Sequence, residues 1–385
     1  MGNRYCHLGL SMKLILLFFL LITNINCYAQ IDSLVELVKV YDRNEIENNE
    51  YMVFINGKET FVVDQSQDIF TIINLSTNDK LSFSLPDTIP YYNPESFCIN
   101  NNVLCYFDWK AAHCFNFPDG DHLMSIDYDA CPRGIKGIYN KIYLYGITYC
   151  GYIDKYDQSA VTTIDFTTKT IETKYFPNPS ASGFSFFQPS NVMDLDKDQV
   201  YLADYDNYRI LIYDHNGNLS DSIKRETSEW IRNNQKIPEY PLGSIEPVKY
   251  IQEIRPISTS MSYIHNIFLV RENQLLVNWS IPTGELYKKI MRYDLWEFDD
   301  DKWKLIKSDI KDFQENLRDD INDYSIPIKY YFRVDGTYLI IQHYGTSKEL
   351  FEKYQGKTYG EFQEACDEYF LDHDLKSIIG VYKFK

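Results

Sequence analysis

This sequence is short of the features that most functional classes require. Basic residues are outnumbered, 38 Lys and Arg against 55 Asp and Glu for a net charge of −17, and they form no dense cluster. That excludes the phosphate-neutralising surface of a nucleic-acid-binding protein and the basic patch that anionic lipids attract. There is no C-x-x-C pair, no H-x-H and no H-E-x-x-H, so the usual thiolate and imidazole zinc frames are missing. A Gly-rich phosphate loop and a nucleophile elbow are absent as well. Helical periodicity is rare. After the first 29 residues no apolar run reaches the roughly 20 residues that a membrane-spanning helix needs. On this pattern no catalytic residue and no metal ligand is assigned.

The first 29 residues carry their own signal. MKLILLFFLLI (12–22) places Lys13 before an apolar run too short to span a bilayer, and Cys27 and Ala29 fit the −3 and −1 positions of a cut before Gln30. Residues 1–29 therefore read as a cleaved secretory signal peptide and 30–385 as a single mature domain. Asn26 is a poor residue before a lipidated cysteine, so plain export, to the periplasm or beyond, is preferred over a lipid anchor on Cys27. Removing Arg4 and Lys13 with the signal leaves 36 basic against 55 acidic side chains, a net −19.

What the full sequence has in quantity is strand-forming material: 16% aromatic residues, with 33 Tyr, in short apolar runs broken by Asp, Asn and Gly. The clearest unit lies at 190–223, where SNVMDL, QVYLAD, YRILIYD and LSDSI are four strands separated by DKD, YDN and HNGN. Weaker copies occupy 51–85, 96–127, 134–176, 263–310 and 328–384, the last read as IKYYFR, TYLIIQ, EYFLD and SIIGVYKF. The third strand of each copy carries an apolar residue followed by Asn74, Asn116, Asp165, Asp214, Asp294 or Asp372. Five of these are expected to accept turn N–H groups as Asx turns do, with Asp294 fitting less well. The fold expected is all-β, a six-bladed propeller of four-stranded antiparallel blades with small helical insertions on one face.

VMDLDKDQVYLADYDNYRILIYDHNGNL resembles an NHL-type repeat, and the mature chain is similar to the secreted six-bladed propellers, NHL-like or TolB-like, of Bacteroidota. That resemblance implies the fold more strongly than any activity, since such propellers include binding proteins, lactonases and lyases. Asp204 and Arg209 match the family's paired Asp and Arg and are read as an ion pair bracing a turn.

Six cysteines remain after the signal. If Asn101 and Asn102 form a two-residue turn, Cys98 and Cys105 face each other at a hydrogen-bonded pair, where a bridge is possible but small buried hydrophobes are the preferred reading. DLDKD (Asp194, Asp196, Asp198) has the alternating carboxylates of a calcium loop without its Gly and terminal Glu, so calcium is only a secondary expectation and no other cofactor is assigned.

Loop lengths divide the copies. The one-to-two and three-to-four turns are short, whereas every long segment joins strands two to three or one copy to the next. Long connectors in compact domains are where function concentrates. Two of them carry helical patterns: Phe362, Ala365, Cys366 and Tyr369 at helical spacing, and a short helix within 226–240. The candidate ligand-binding residues on the connector-rich face are Trp109, Tyr149, Tyr152, Tyr205, Asp206, Tyr208, Trp279, Tyr287, His343 and Tyr344, with His265 and Asn266 on a nearby inner strand. Stacking aromatics beside carboxylates suit sugars and peptides. The expected function is recognition of a glycan, peptide or partner protein by a non-catalytic scaffold. The alternative is a metal-assisted lactonase or lyase, which needs several carboxylate, Asn or His side chains converging at the channel mouth.

Overall fold

Alternating short apolar runs and Asp-rich turns build strands throughout the computed structural model. It describes residues 34–43, 51–56, 59–66, 69–74, 77, 79–84, 96–100, 102–107, 111–127, 131–147, 158–177, 193–204, 207–232, 260–284, 289–311, 330–332, 338–344 and 377–384. Residues 1–29, read from the sequence as a signal, and the helical pattern at 362–369 lie outside them.

The strands form six four-stranded antiparallel sheets. Five are simple meanders: β2(Tyr51–Asn56) to β5(Lys80–Ser84), β6(Ser96–Asn100) to β9(His122–Asp127), β10(Cys131–Ile138) to β13(Thr170–Pro177), β14(Met193–Leu195) to β17(Leu219–Lys224), and β18(Tyr263–Arg271) to β21(Lys302–Lys311). The first strands β2, β6 and β10 lie against one another, as do β14 and β18. Apolar faces then pack sheet on sheet. Cys105, Ala112 and Cys114 meet Ile135, Ile142 and Leu144; Tyr143, Val161 and Phe176 meet Leu195, Leu202 and Tyr213; Ile210, Ile212 and Ile223 meet Ile267, Val277 and Trp279. Middle strands buried on both faces need continuous apolar runs, and RILIYD on β16(Arg209–Asp214) supplies one. Fourth strands face water on one side, so HLMSID on β9 alternates. The result is propeller-like.

The sixth sheet departs from the sequence reading. Its order is β22(Tyr330–Phe332), β23(Tyr338–Tyr344), β24(Ser377–Phe384) and then β1(Val35–Arg43), which pairs antiparallel with β24. SIIGVYKF is therefore a third strand, and the fourth comes from residues 35–43. An unpaired β24 would leave an open row of N–H and C=O groups, and VELVKVYDR covers it. EYFLD and Asp372 fall outside the described residues.

Asp165 and Asp214 form the expected turns, whereas at Asn116 the backbone closes the turn, its carbonyl accepting the Gly120 N–H at 2.8 Å. Asp165 Oδ1 accepts N–H bonds from Thr167 and Thr168 at 2.9 and 3.1 Å. Asp214 Oδ1 accepts from Asn216 and Asn218 at 2.8 and 2.9 Å, while Gly217 takes φ +89°. Asp196 does the same for Asp198 and Gln199, both at 2.7 Å. Its neighbour Asp194 is buried and serves another purpose. It meets Lys136 Nζ on β10 and accepts the Leu269 N–H on β18 at 2.8 Å, which ties the first strands of three successive sheets. The DLDKD carboxylates thus have separate partners.

The helix expected within 226–240 does not form in its described part. Residues 226–232 are turns and irregular chain, and no helix occurs among the described residues. Thr227 Oγ1 takes the Glu229 N–H at 3.3 Å, and Ile231 is pinned by Ser262 through N–H bonds of 3.0 and 2.8 Å. Those bonds outcompete a helical ladder.

Candidate functional site

Each sheet has a tight end and a long end. The hairpins joining first to second strands span 57–58, 101–102, 139–140, 196–198, 272–273 and 333–337, and in the five meander sheets those joining third to fourth are equally brief. The opposite ends carry 148–157, 178–192, 225–262, 312–329 and 345–376. The candidate site is the long end of the fourth and fifth sheets, where an aromatic cluster and a buried charged clamp converge.

Two sequence-predicted residues meet there. Tyr208 enters from the turn before β16, and Trp279 from the end of β19(Gln274–Pro282), with ring centroids 5.8 Å apart at 79°. Trp230 stands over both, 5.5 Å from Tyr208 and 5.9 Å from Trp279. Trp296 on β20(Lys289–Asp299) donates Nε1–H to the Tyr208 hydroxyl at 3.3 Å. Tyr208 is 3% exposed and Trp279 0%, so both form the floor beneath this end rather than its open surface. Trp230, from the connector after β17, rests on that floor.

A charged clamp runs through the aromatics. Arg225, just past β17, donates to Asp294 Oδ2 and to Asp309 Oδ2, both at 2.5 Å, with its guanidinium 5.4 Å from the Trp279 ring centre. Asp294 is fully buried, and its Oδ1 accepts the Asp309 N–H at 2.8 Å. Asp309 is the bulged residue of β21, with φ +54°, and the Asp294 carboxylate satisfies the N–H that the bulge frees. Burial pushes the Asp294 carboxyl above its ordinary range, and Arg225 and Tyr208 pull the other way. Burial, then Asp294, hold the Tyr208 hydroxyl protonated far beyond neutral pH. At the foot of the neighbouring turn, Arg209 bridges to the buried Asp204 at 2.7 and 2.9 Å, the bracing pair expected from the sequence.

The first strand of the fifth sheet adds a second polar group. A register shift between Ile264 and Asn266 makes His265 the extra residue of a bulge, and bulges re-aim side chains. Its ring lies 4.1 Å from Tyr263, over which Lys289 Nζ sits at 3.6 Å while donating to Met261 O at 3.0 Å. Burial holds the His265 imidazole neutral down to about 3, with Lys289 acting in the same direction, and burial lowers Lys289 to about 7. His265 Nε2 and Ser280 Oγ, both buried atoms, find no hydrogen-bond partner among the described residues. Asn266 and Asn278 bond across the strands at 3.1 Å, and Asn278 continues to Arg292 O at 3.2 Å.

Of the other candidates, His343 and Tyr344 are the last residues of β23, opposite Ile378 and Ser377. Trp109, Tyr149, Tyr152, Tyr205, Asp206 and Tyr287 lie outside the described residues. Sequence reasoning missed Arg225, Trp230, Trp296 and Asp309. Only the interruption of apolar strands by charge hinted at them. Among the described residues no three His, Cys, Asp or Glu side chains converge as a metal site would require.

No protein-family model matches this chain, and no curated protein matches its sequence. Solved structures do match. A Bacteroides fragilis protein described as a "Putative exported protein" shares 13% identity with a TM-score of 0.53, over 93% of this chain and 97% of that one. A Bacteroides caccae protein of unknown function aligns at 10% identity and a TM-score of 0.40, over 77% and 91%. The Neurospora crassa Pan2 WD40 domain aligns at 8% and 0.43, over 73% and 75%. At these identities the first match speaks to the fold alone. It does not single out the NHL or TolB type.

Proposed function

We propose that this chain is an exported, non-catalytic recognition protein, a six-bladed propeller of the NHL-like or TolB-like kind that takes a glycan, peptide or partner protein on its connector-rich end. The observation that carries this reading is the unequal division of connectors, brief at one end of every sheet and up to 225–262 and 345–376 at the other. The clamped aromatic floor supports it, because a rigid base positions variable loops without ordering cost at binding. Export is supported by the leader at 1–29 and by the likeness to a Bacteroides protein described as exported.

The test is a glycan array and a peptide library probed with the purified mature chain. Hits should weaken about tenfold or more in Tyr205→Ala/Asp206→Ala, as loss of a contact-centre aromatic does. The same hits should survive Asn140→Ala and Lys197→Ala at the tight end. Equal binding by all variants would contradict the assignment of the face.

A further inference from the structure

Three cysteines share one rung of the second sheet. Cys98 on β6 pairs with Cys105 on β7(Val103–Phe107), and Cys105 pairs with Cys114 on β8(Ala111–Asn116). The bond from Phe117 N–H to Asn102 O fixes the alternation between β7 and β8. Three positions along, Cys105 and Cys114 fall at a non-hydrogen-bonded pair, where Cα atoms approach to about 4.5 Å and side chains lie closest. That spacing is within the range a disulfide spans. Their Sγ atoms are 2.6 Å apart, and both residues are 0% exposed. Cys98 is only half-buried, and the two-residue turn puts it opposite Cys105 at the wider, hydrogen-bonded spacing. The sequence alone offered a bridge only between Cys98 and Cys105, with buried thiols the preferred reading; the fold brings Cys114 to Cys105.

We propose that Cys105 and Cys114 are a disulfide-forming pair, oxidised in the folded chain through Cys98. The proposal rests on the export reading only for the compartment in which the bond would persist. The oxidant is a small or protein disulfide. The Cys98 thiolate attacks one of its sulfurs and releases the other half as a thiolate. Cys105 then displaces the second half, forming Cys98–Cys105, and Cys114 attacks the Cys105 sulfur and releases Cys98 as a thiolate. Two thiols lose two electrons and two protons, and one external disulfide becomes two thiols. Burial pushes the Cys105 thiol up, with Cys114 beside it acting the same way, so Cys105 is a poor leaving group and the inner bond exchanges slowly once made.

The experiment takes the purified, folded, reduced chain into an oxidised glutathione buffer, alkylates remaining thiols at intervals and maps the peptides by mass spectrometry. The expected end state links Cys105 to Cys114 and leaves Cys98 alkylated. Cys98→Ser should reach the same bond about tenfold more slowly or worse, since oxidant must then wait for the sheet to open. A final Cys98–Cys105 link, or Cys105 and Cys114 both alkylated at completion, would overturn the pair. An unchanged rate in Cys98→Ser would overturn the route. Acid-trapping the same thiols in cells reports on export: a pair that bonds in the buffer but stays reduced in the cell defeats the export reading and leaves the pair standing.

Discussion

Asp214 and Asp294 are the acids that the sequence pattern places near the ends of two third strands, but their fates are opposite. Asp214 lies opposite Gln199, the first residue of its neighbouring strand, and Asp294 opposite Val277, three residues further in. At Asp214 the chain turns, and the carboxylate stays near the surface, gathering the N–H groups of its own hairpin. At Asp294 the strand continues to Asp299, so the side chain is carried into the interface between the fourth and fifth sheets. There it is met by Arg225 from the preceding sheet and by the bulge at Asp309. The hairpin it would have served turns instead at Asp300 and Asp301, both at positive φ, with Lys304 bridging Asp299 and Asp300. Register decides whether an acid caps a turn or clamps two sheets: Asp214 stands at the hairpin end of its strand, and Asp294 stands inside the strand, where its neighbour is another sheet.

The largest expected break in that contrast is Arg225→Met. It leaves Asp294 and Asp309 facing a dry aromatic pocket, and stranding a buried charge in this way costs about 3–5 kcal/mol. Urea unfolding should show a lower midpoint at unchanged slope; a loss under about 1 kcal/mol would place the clamp among ordinary surface pairs. A smaller effect concerns His265. Its folded pKa, about 3, lies below the roughly 6.5 of an unfolded imidazole. Above pH 6.5 neither state is charged; as pH falls from there toward 3 the unfolded chain takes up a proton that the folded chain refuses, so stability drops. Unfolding midpoints at pH 7.5 and 5.5 should therefore diverge more in the native chain than in His265→Gln, and equal divergence would mean the imidazole is accessible when folded. Asp214→Ala should have the smallest effect, a slight loss of thermal stability with faster amide exchange confined to 215–218. A loss comparable to that of Arg225→Met would erase the distinction.

Much of the fold was legible because its signals are local. SFCIN, VLCYF, QVYLA and RILIYD are strands where their composition places them, and Asp165 and Asp214 take the turns their spacing implies. The misreadings all involve partners distant in sequence. VELVKVYDR falls outside all six copies read from the sequence, because nothing near it shows that its neighbour is SIIGVYKF at the other end of the chain. ETSEWIR looks helical until Ser262 and the tryptophan cluster claim it. At the candidate site, Tyr208 and Trp279 were legible as members of the right end, but their burial was not, because it depends on Trp230, Trp296 and Arg225 arriving from three other segments.

The central claim is that recognition belongs to the end carrying the long connectors. Photo-crosslinkers placed singly at Tyr205 and Tyr344 on that end, and at Asn140, Lys197 and Asn273 on the hairpins, would test it most directly on the native chain. Adducts from the first two positions and none from the hairpins are the result this account predicts. Adducts from the hairpin positions with none from Tyr205 or Tyr344 would contradict it.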